Sequence, residues 1–168
     1  YLRGSLIDKA HAFDPNLNNH LSNHLFEGLN KDIPTHRFSL PALNINRGRD
    51  HGLPGYNHYR TLCGLNYAKS FDELYNIPRD VRDKLEDIYD HVNDIDLFTG
   101  GVSEIPVEGG VVGPTFACII AKQFRDLKYG DRFYYENGQN KLTRFTYRQL
   151  DQIRKASLAR ILCDNIDI

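Results

Sequence analysis

Leu17, Leu21, Leu25 and Leu29 recur at every fourth position, which predicts a helix near 16–29 with one apolar face. Pro34 and Pro41 bracket a stretch expected to be irregular. Pro54 suits the first turn of a short helix near 54–63. Ser70 and Glu73 form an S-x-x-E capping box that should open a short helix ending before Pro78. Val81, Leu85, Ile88, Tyr89 and Val92 then trace a helix near 79–91. Gly100, Gly101, Gly109, Gly110 and Gly113 read as loop, and Pro114 begins the next helix. Its buried face is expected to be Phe116, Ile119, Ile120, Phe124 and Leu127, with Gly130 as its end. Residues 133–136 and 142–145 flank Asn137-Gly138, the signal of a small hairpin. Thr146 and Gln149 make a second capping box, from which Leu150, Ile153, Ser157 and Ile161 carry a last helix toward Cys163. Five or six helices with little strand predict a mainly α fold.

The 168 residues suit about one domain, and 40% apolar with 26% charged residues is globular rather than disordered. The net charge of -1 offers no global basic excess for neutralising nucleic-acid phosphates. No apolar run approaches the roughly 18 residues of a membrane span. The chain begins with Tyr1 and contains no Met, so it is expected to be a piece of a longer chain. Its three cysteines are an odd number, which leaves one free or paired outside the chain.

Chemistry concentrates between positions 40 and 57, where Asn44, Asn46, Arg47, Arg49, Asp50 and His51 sit between Leu43 and Leu53. Two readings are open. In one this is a charged turn, with Asp50 capping the helix after Pro54 and Arg47 or Arg49 paired to it. In the other Arg47 or Arg49 clamps a carboxylate or phosphate. By composition His51 is a tempting metal ligand. His20 and His24 have a zinc-like i, i+4 spacing, but no third ligand is near and a solvated helix face is expected. Asp94, Asp96 and Glu104 lack the alternation of an EF-hand loop and read as an ordinary polar loop. Tyr56, Tyr59, Tyr134 and Tyr135 read as packed rings with hydrogen-bonded hydroxyls.

The run Leu40-Pro-Ala-Leu-Asn-Ile-Asn-Arg-Gly-Arg-Asp-His-Gly-Leu-Pro-Gly-Tyr-Asn57 resembles the signature of the animal haem peroxidases. The resemblance continues, in order, through Phe98-Thr-Gly-Gly-Val-Ser-Glu104, Val112-Gly-Pro-Thr-Phe-Ala-Cys-Ile-Ile120, Gln123-Phe-Arg125, Gly130-Asp-Arg-Phe-Tyr-Tyr-Glu-Asn137 and Arg160-Ile-Leu-Cys-Asp-Asn165. It covers nearly the whole chain and implies that residues 1–168 are the C-terminal helical part of one such catalytic domain.

The resemblance implies several roles. Asn44 would accept a hydrogen bond from the iron-ligating proximal His, which lies outside this chain, and so fix its tautomer and basicity. Arg47 would pair with a haem propionate. Leu40 and Leu43 would line the proximal side, Arg49 and Asp50 would pair, and His51 would not be the iron ligand. Tyrosines in such an enzyme can also carry radicals. Cys63 and Cys118 match a family disulfide, and Cys163 matches a cysteine whose partner lies beyond position 168.

The distal His and Arg, the proximal His, the calcium loop and the haem-esterifying carboxylates all lie upstream in relatives. The fragment alone is therefore expected to be inactive and to bind no calcium itself. The implied parent uses haem iron to reduce hydrogen peroxide, and it oxidises a halide, a phenol, a protein tyrosine or another small reductant. Its expected place is secreted or extracellular-facing, in the response to oxidative stress, with the upstream remainder of the domain as its partner. An alternative from another class is a catalytically inactive peroxidase-like scaffold or interaction domain.

Overall fold

The computed structural model describes residues 2–28 and 37–165. It divides into two compact units, Tyr1–Ile120 and Ala121–Ile168. The first unit contains helices α1 (Leu2–Ile7), α2 (Asn19–Ser22), α3 (Leu40–Asp50), α4 (Tyr56–Leu62), α5 (Arg79–Ile88) and α6 (Leu97–Ser103). Helix α7 (Pro114–Gly130) begins in the first unit and ends in the second, which also holds α8 (Tyr147–Arg154) and α9 (Leu158–Asn165). Among the described residues there is no strand, only an isolated bridge between Leu25 and Phe38. The mainly α expectation therefore holds.

The core of the first unit is Tyr56, Ala68, Phe71, Leu74, Ile77, Leu85, Val92 and Ile95, with Val81 and Tyr89 packed against it. Val81, Leu85 and Tyr89 are the stripe expected on α5, but Ile88 is 74% exposed. Helix α5 stops at Ile88, and Val92 reaches the core from a short 3-10 turn, Val92–Asp94. The capping box expected at Ser70 does not form. Phe71–Glu73 is a single 3-10 turn without a Ser70 side-chain cap, and the Glu73 carboxylate instead accepts the Lys69 N–H at 2.8 Å.

Polar side chains knit this core. The buried Asn57 amide accepts the Ala68 N–H at 3.0 Å and donates to Ala68 O at 2.7 Å and Asn93 Oδ1 at 2.7 Å. Buried Glu104 accepts from Tyr56 Oη at 2.8 Å, Asn76 Nδ2 at 2.5 Å, and Thr115 N and Oγ1 at 2.8 and 2.6 Å. Arg60 donates to Tyr56 Oη at 3.2 Å and to Asn76 Oδ1. Glu104 thus satisfies an orphan amide in the first turn of α7, where a carboxylate also meets the positive end of the helix. Burial, followed by the nearby Glu104 charge, raises the Tyr56 hydroxyl well above its ordinary value.

Cys63, at the end of α4, is disulfide-bonded to Cys118 of α7 across 55 residues of sequence. In the chain-entropy model a loop of that size contributes about 4 kcal/mol. Cys163 is a free, exposed thiol.

Several local expectations are overturned. The leucine helix near 16–29 shrinks to the four residues of α2, because Asn18 caps it and Asn19 and Asn23 bond each other instead of supporting a longer helix. Leu29 and Pro34 lie outside the described residues. The irregular stretch expected before Pro41 is present at residues 37–39, and Pro41 itself sits in the first turn of α3, where a missing N–H costs nothing. Gly100 and Gly101 are not loop but buried positions of α6. A Cβ on Gly100 would lie 2.1 Å from Tyr56 Cγ, and one on Gly101 would lie 2.2 Å from Phe116 Cε1, so glycine permits the close approach.

On α7 only Thr115 is buried, while Phe124 and Leu127 of the expected buried face are 68% and 54% exposed. Gly130 does end that helix. No hairpin forms around Asn137-Gly138, because Asp131, Asn137 and Asn140 accept nearby backbone N–H groups and close turns instead. The Thr146–Gln149 capping box is present. The single last helix is two, because the Ser157 hydroxyl accepts the Arg160 N–H and restarts the chain as α9.

Candidate functional site

Helix α3 carries the residues singled out by the sequence. Leu40, Leu43, Asn44 and Arg47 follow i, i+3, i+4, i+7 spacing and share one face. None of its residues is fully buried, but Leu40, Pro41, Asn44, Ile45 and Gly48 are half-buried where it packs against α2 and α6, and both ends are hydrogen-bonded. Leu43 N–H bonds Ser39 O at 3.0 Å at the start. At the other end the His51 backbone N–H bonds Arg47 O, as does Nδ1 at 2.9 Å. Gly52, at φ 64°, then takes the left-handed conformation that glycine tolerates after a helix.

This helix borders a cavity of about 880 Å³ whose walls include Asn44, Arg47, Arg49, Leu53, Asp96, Leu97, Phe98 and Phe116. A second cavity of about 420 Å³, with Phe13, Leu17, Pro41, Phe98 and Val102 in its wall, also touches Asn44. Asn44 therefore stands between the two. Leu40 and Leu43 border neither cavity.

The two arginines separate clearly. Arg49 donates Nε to Asp96 Oδ1 at 2.9 Å and Nη2 to Asp96 Oδ2 at 2.8 Å, a bidentate pair. Tyr89 Oη donates to Asp96 Oδ2 at 2.8 Å and lies 3.2 Å from Thr99 Oγ1. The hydrogen bond from Arg49 holds the Asp96 carboxyl below the usual range, and the same bond raises Arg49. Burial raises Tyr89. By contrast, neither the Arg47 guanidinium nor the Asn44 amide has a side-chain hydrogen bond or ion pair among the described residues.

The expected Arg49–Asp50 pair is not formed. Neighbouring helical side chains diverge, and Asp50 stands in solvent while Arg49 reaches Asp96. Nor does Asp50 cap the following helix, whose N-cap is Gly55. His51 is exposed, with Nδ1 bonded to Arg47 O. His24 spends Nδ1 on Glu27 Oε2 at 2.6 Å, and Glu27 also pairs with Arg37 at 2.8 Å. Asp96 and Glu104 serve separate networks rather than one site. No group of three or more metal-ligating side chains occurs among the described residues. Tyr56 is hydrogen-bonded in the core, and the Tyr134 and Tyr135 rings lie 5.0 Å apart in the second unit.

Sequence reasoning missed Asp96 and Glu104 as anchors. Their signal was local: Asp96 is the residue before α6, and Glu104 is the residue after it. The distant partners of both, 47 and 48 positions away along the chain, were not visible in that signal.

A mainly helical fold with an unpaired arginine and asparagine on one cavity wall defines a site able to hold an anionic, largely apolar ligand. Residues 1–168 match the animal haem peroxidase family as a whole. The chain is 44% identical over 153 residues to peroxidasin of Drosophila melanogaster, covering 90% of this chain and 10% of that protein. It is 39% identical over 171 residues to lactoperoxidase of Mesocricetus auratus, covering 99% of this chain and 23% of that protein. The solved structure of peroxidase A from Dictyostelium discoideum superposes with a TM-score of 0.79 at 28% identity, covering 99% of this chain and 30% of that one. This chain belongs to the animal haem peroxidase family. It spans about a tenth of the length of the first of these curated relatives and just under a quarter of the second.

Proposed function

We propose that this chain is the C-terminal part of one peroxidase catalytic domain and forms the proximal wall of its haem site. The whole protein would be an oxidoreductase that reduces hydrogen peroxide and oxidises a halide, a phenol or a protein tyrosine. The observation that carries the reading is the pairing of Asn44 with Arg47. They lie one helical turn apart beside one cavity, and both are without side-chain partners among the described residues.

Haem is a broad apolar ring bearing two carboxylates. Leu97, Phe98 and Phe116 offer apolar wall, Arg47 offers a free cation, and a volume near 880 Å³ lies within the usual range for such sites. The residues present therefore fit the group. Haem iron, when bound, supplies the redox chemistry.

The protein's own groups do the rest. The Asn44 amide oxygen accepts the ring N–H of an iron-ligating histidine contributed by the remainder of the protein, holding the imidazole in one tautomer. A neutral amide does this more mildly than a carboxylate, leaving the ligand less electron-rich. Arg47 forks onto a carboxylate of the haem edge. Leu40 and Leu43 lie on the same face of α3 but outside both cavity walls, so they would shield the proximal side only with the remainder of the domain in place. Calcium, where present, would be held outside this segment. A secreted or extracellular-facing location, suited to a role in oxidative stress, is supported by the Cys63–Cys118 disulfide.

The test uses the haem-loaded parent. Asn44→Asp strengthens one hydrogen bond by about 1 kcal/mol and lowers the iron midpoint potential by about 40 mV. Arg47→Ala releases haem about tenfold faster, as expected for losing one charge-assisted contact. An unchanged potential with haem bound overturns the role of Asn44. A parent that takes up no haem leaves the inactive-scaffold reading.

A further inference from the structure

We propose that Asp96 is a positioning residue that, through Arg49, sets how α3 presents Asn44 and Arg47 to the cavity. The proposal rests on the proximal-wall reading above. Helix α3 packs against α2 and α6 through the half-buried Leu40, Pro41 and Ile45 but buries no side chain fully, so a directional polar contact can add to what packing fixes. Among the described residues, its only side-chain hydrogen bonds to another element are the two from Arg49 to Asp96. A planar fork on a carboxylate fixes direction as well as distance. Arg49 leaves the helix about 200° round from Arg47 and about 140° round from Asn44. Arg49 and Asp96 nevertheless line the same cavity as Asn44 and Arg47, so the clamp stands at the edge of the site it orients without using either of those two side chains.

Asp96 is itself arranged for this task. It is the N-cap residue of α6, where an aspartate ordinarily turns its carboxylate onto the helix's own amides. Here the side chain makes no capping bond and faces Arg49 instead. Tyr89 Oη, steadied by Thr99, holds one of its oxygens from behind. Sensitivity to rotation is high. A side-chain atom about 6 Å from a helix axis moves about 1 Å for a 10° turn. That is enough to break a hydrogen bond to a histidine held by another segment.

The experiment uses the haem-loaded parent with Asp96→Asn, Asp96→Glu and Arg49→Lys, and Asn44→Asp as a reference variant. The readouts are the ferrous iron–histidine stretching band, the rate of haem release, and helix content by circular dichroism. Asp96→Asn and Arg49→Lys are expected to shift or split the band and to release haem several-fold faster at unchanged helix content. Asp96→Glu keeps the charge and is expected to stay near the parent values. If Asn44→Asp moves the band while Asp96→Asn and Arg49→Lys leave band and release rate unchanged, the proposal is overturned and the proximal-wall reading stands. If Asn44→Asp leaves the band unmoved, both fall. If Asp96→Asn and Arg49→Lys both lose helix content, the pair is a folding element and the positioning role is overturned.

Discussion

Replacing Glu104 by Gln tests the buried network that fixes the start of α7. The carboxylate accepts four hydrogen bonds on two oxygens, three on Oε1 and one on Oε2. Glutamine keeps one oxygen for Tyr56, Asn76 and the Thr115 hydroxyl, but it sets an NH2 against the Thr115 N–H. Each retained bond drops from charge-assisted to neutral, about 1 kcal/mol apiece, and the stranded amide costs about 1–3 kcal/mol more. Relief from burying a charge offsets part of this, on the order of 1–3 kcal/mol. The net expectation is a loss of about 3 kcal/mol in a urea titration followed by circular dichroism. Tyr56→Phe removes the hydroxyl at 2.8 Å, and the double variant should then show a coupling of about 1 kcal/mol with Glu104→Gln. A loss below about 0.5 kcal/mol for Glu104→Gln, or strict additivity with Tyr56→Phe, would refute the reasoning. Phe116 follows Thr115 directly and lines the larger cavity, so the same variant should also speed haem release.

Gly100→Ala drives a methyl to 2.1 Å from Tyr56 Cγ, whose ring is fully buried and tied by its hydroxyl. The helix-propensity gain of about 1 kcal/mol is outweighed by an overpacking cost of about 3 kcal/mol, so the thermal midpoint should fall, and an equal or higher midpoint counts against the close approach. In the second unit Glu136 is held down to about 2 by hydrogen bonds from Lys128, Arg154 and Tyr135. A lowered carboxyl pKa gives stability that is present above the ordinary value of 4.5 and is lost as pH falls through about 2. Acid should therefore loosen α8 across that window, and Glu136→Gln should remove this part of the pH dependence. A Glu136 carboxyl that titrates near 4.5 by NMR would sink the assignment.

Helix type and order were legible wherever a local rule acted alone. The Thr146–Gln149 box and the Gly130 stop are set by neighbours within a turn. The Cys63–Cys118 bridge, implied by the family resemblance, is present as well. Reading failed where a side chain served a remote partner. Gly100 and Gly101 look like loop, yet they are small so that α6 can lie against Tyr56 and Phe116. Asn18, Asn19 and Asn23 cut short a helix whose leucines alone predicted four turns.

The most consequential failure falls on the site itself. Helix α3 opens with Pro41 in its first turn, carries Gly48 in its interior and buries no residue fully. Of these features only Gly48 argues locally against a helix, and it is the dense polar run from Asn44 to His51 that favours a charged turn. A segment that breaks the local rules and still forms a helix must be held from outside itself. Here that hold is packing against α2 and α6, the closed turn at Gly52, and one arginine on a carboxylate 47 positions further along. Such conflict between local preference and observed structure is expected where a segment serves a ligand rather than a core. It places the unpaired Asn44 and Arg47 on an element with a glycine in its interior and no fully buried side chain. Strengthening α3 locally separates the two demands. Gly48→Ala adds helix propensity at a position whose nearest new contact is Leu53 at 3.9 Å. If the Asp96 clamp rather than propensity holds α3, Gly48→Ala should raise stability by about 0.5–1 kcal/mol and leave the iron–histidine band where it was. A band that moves with Gly48→Ala would show that the helix's own preference, not its distant anchor, sets the site.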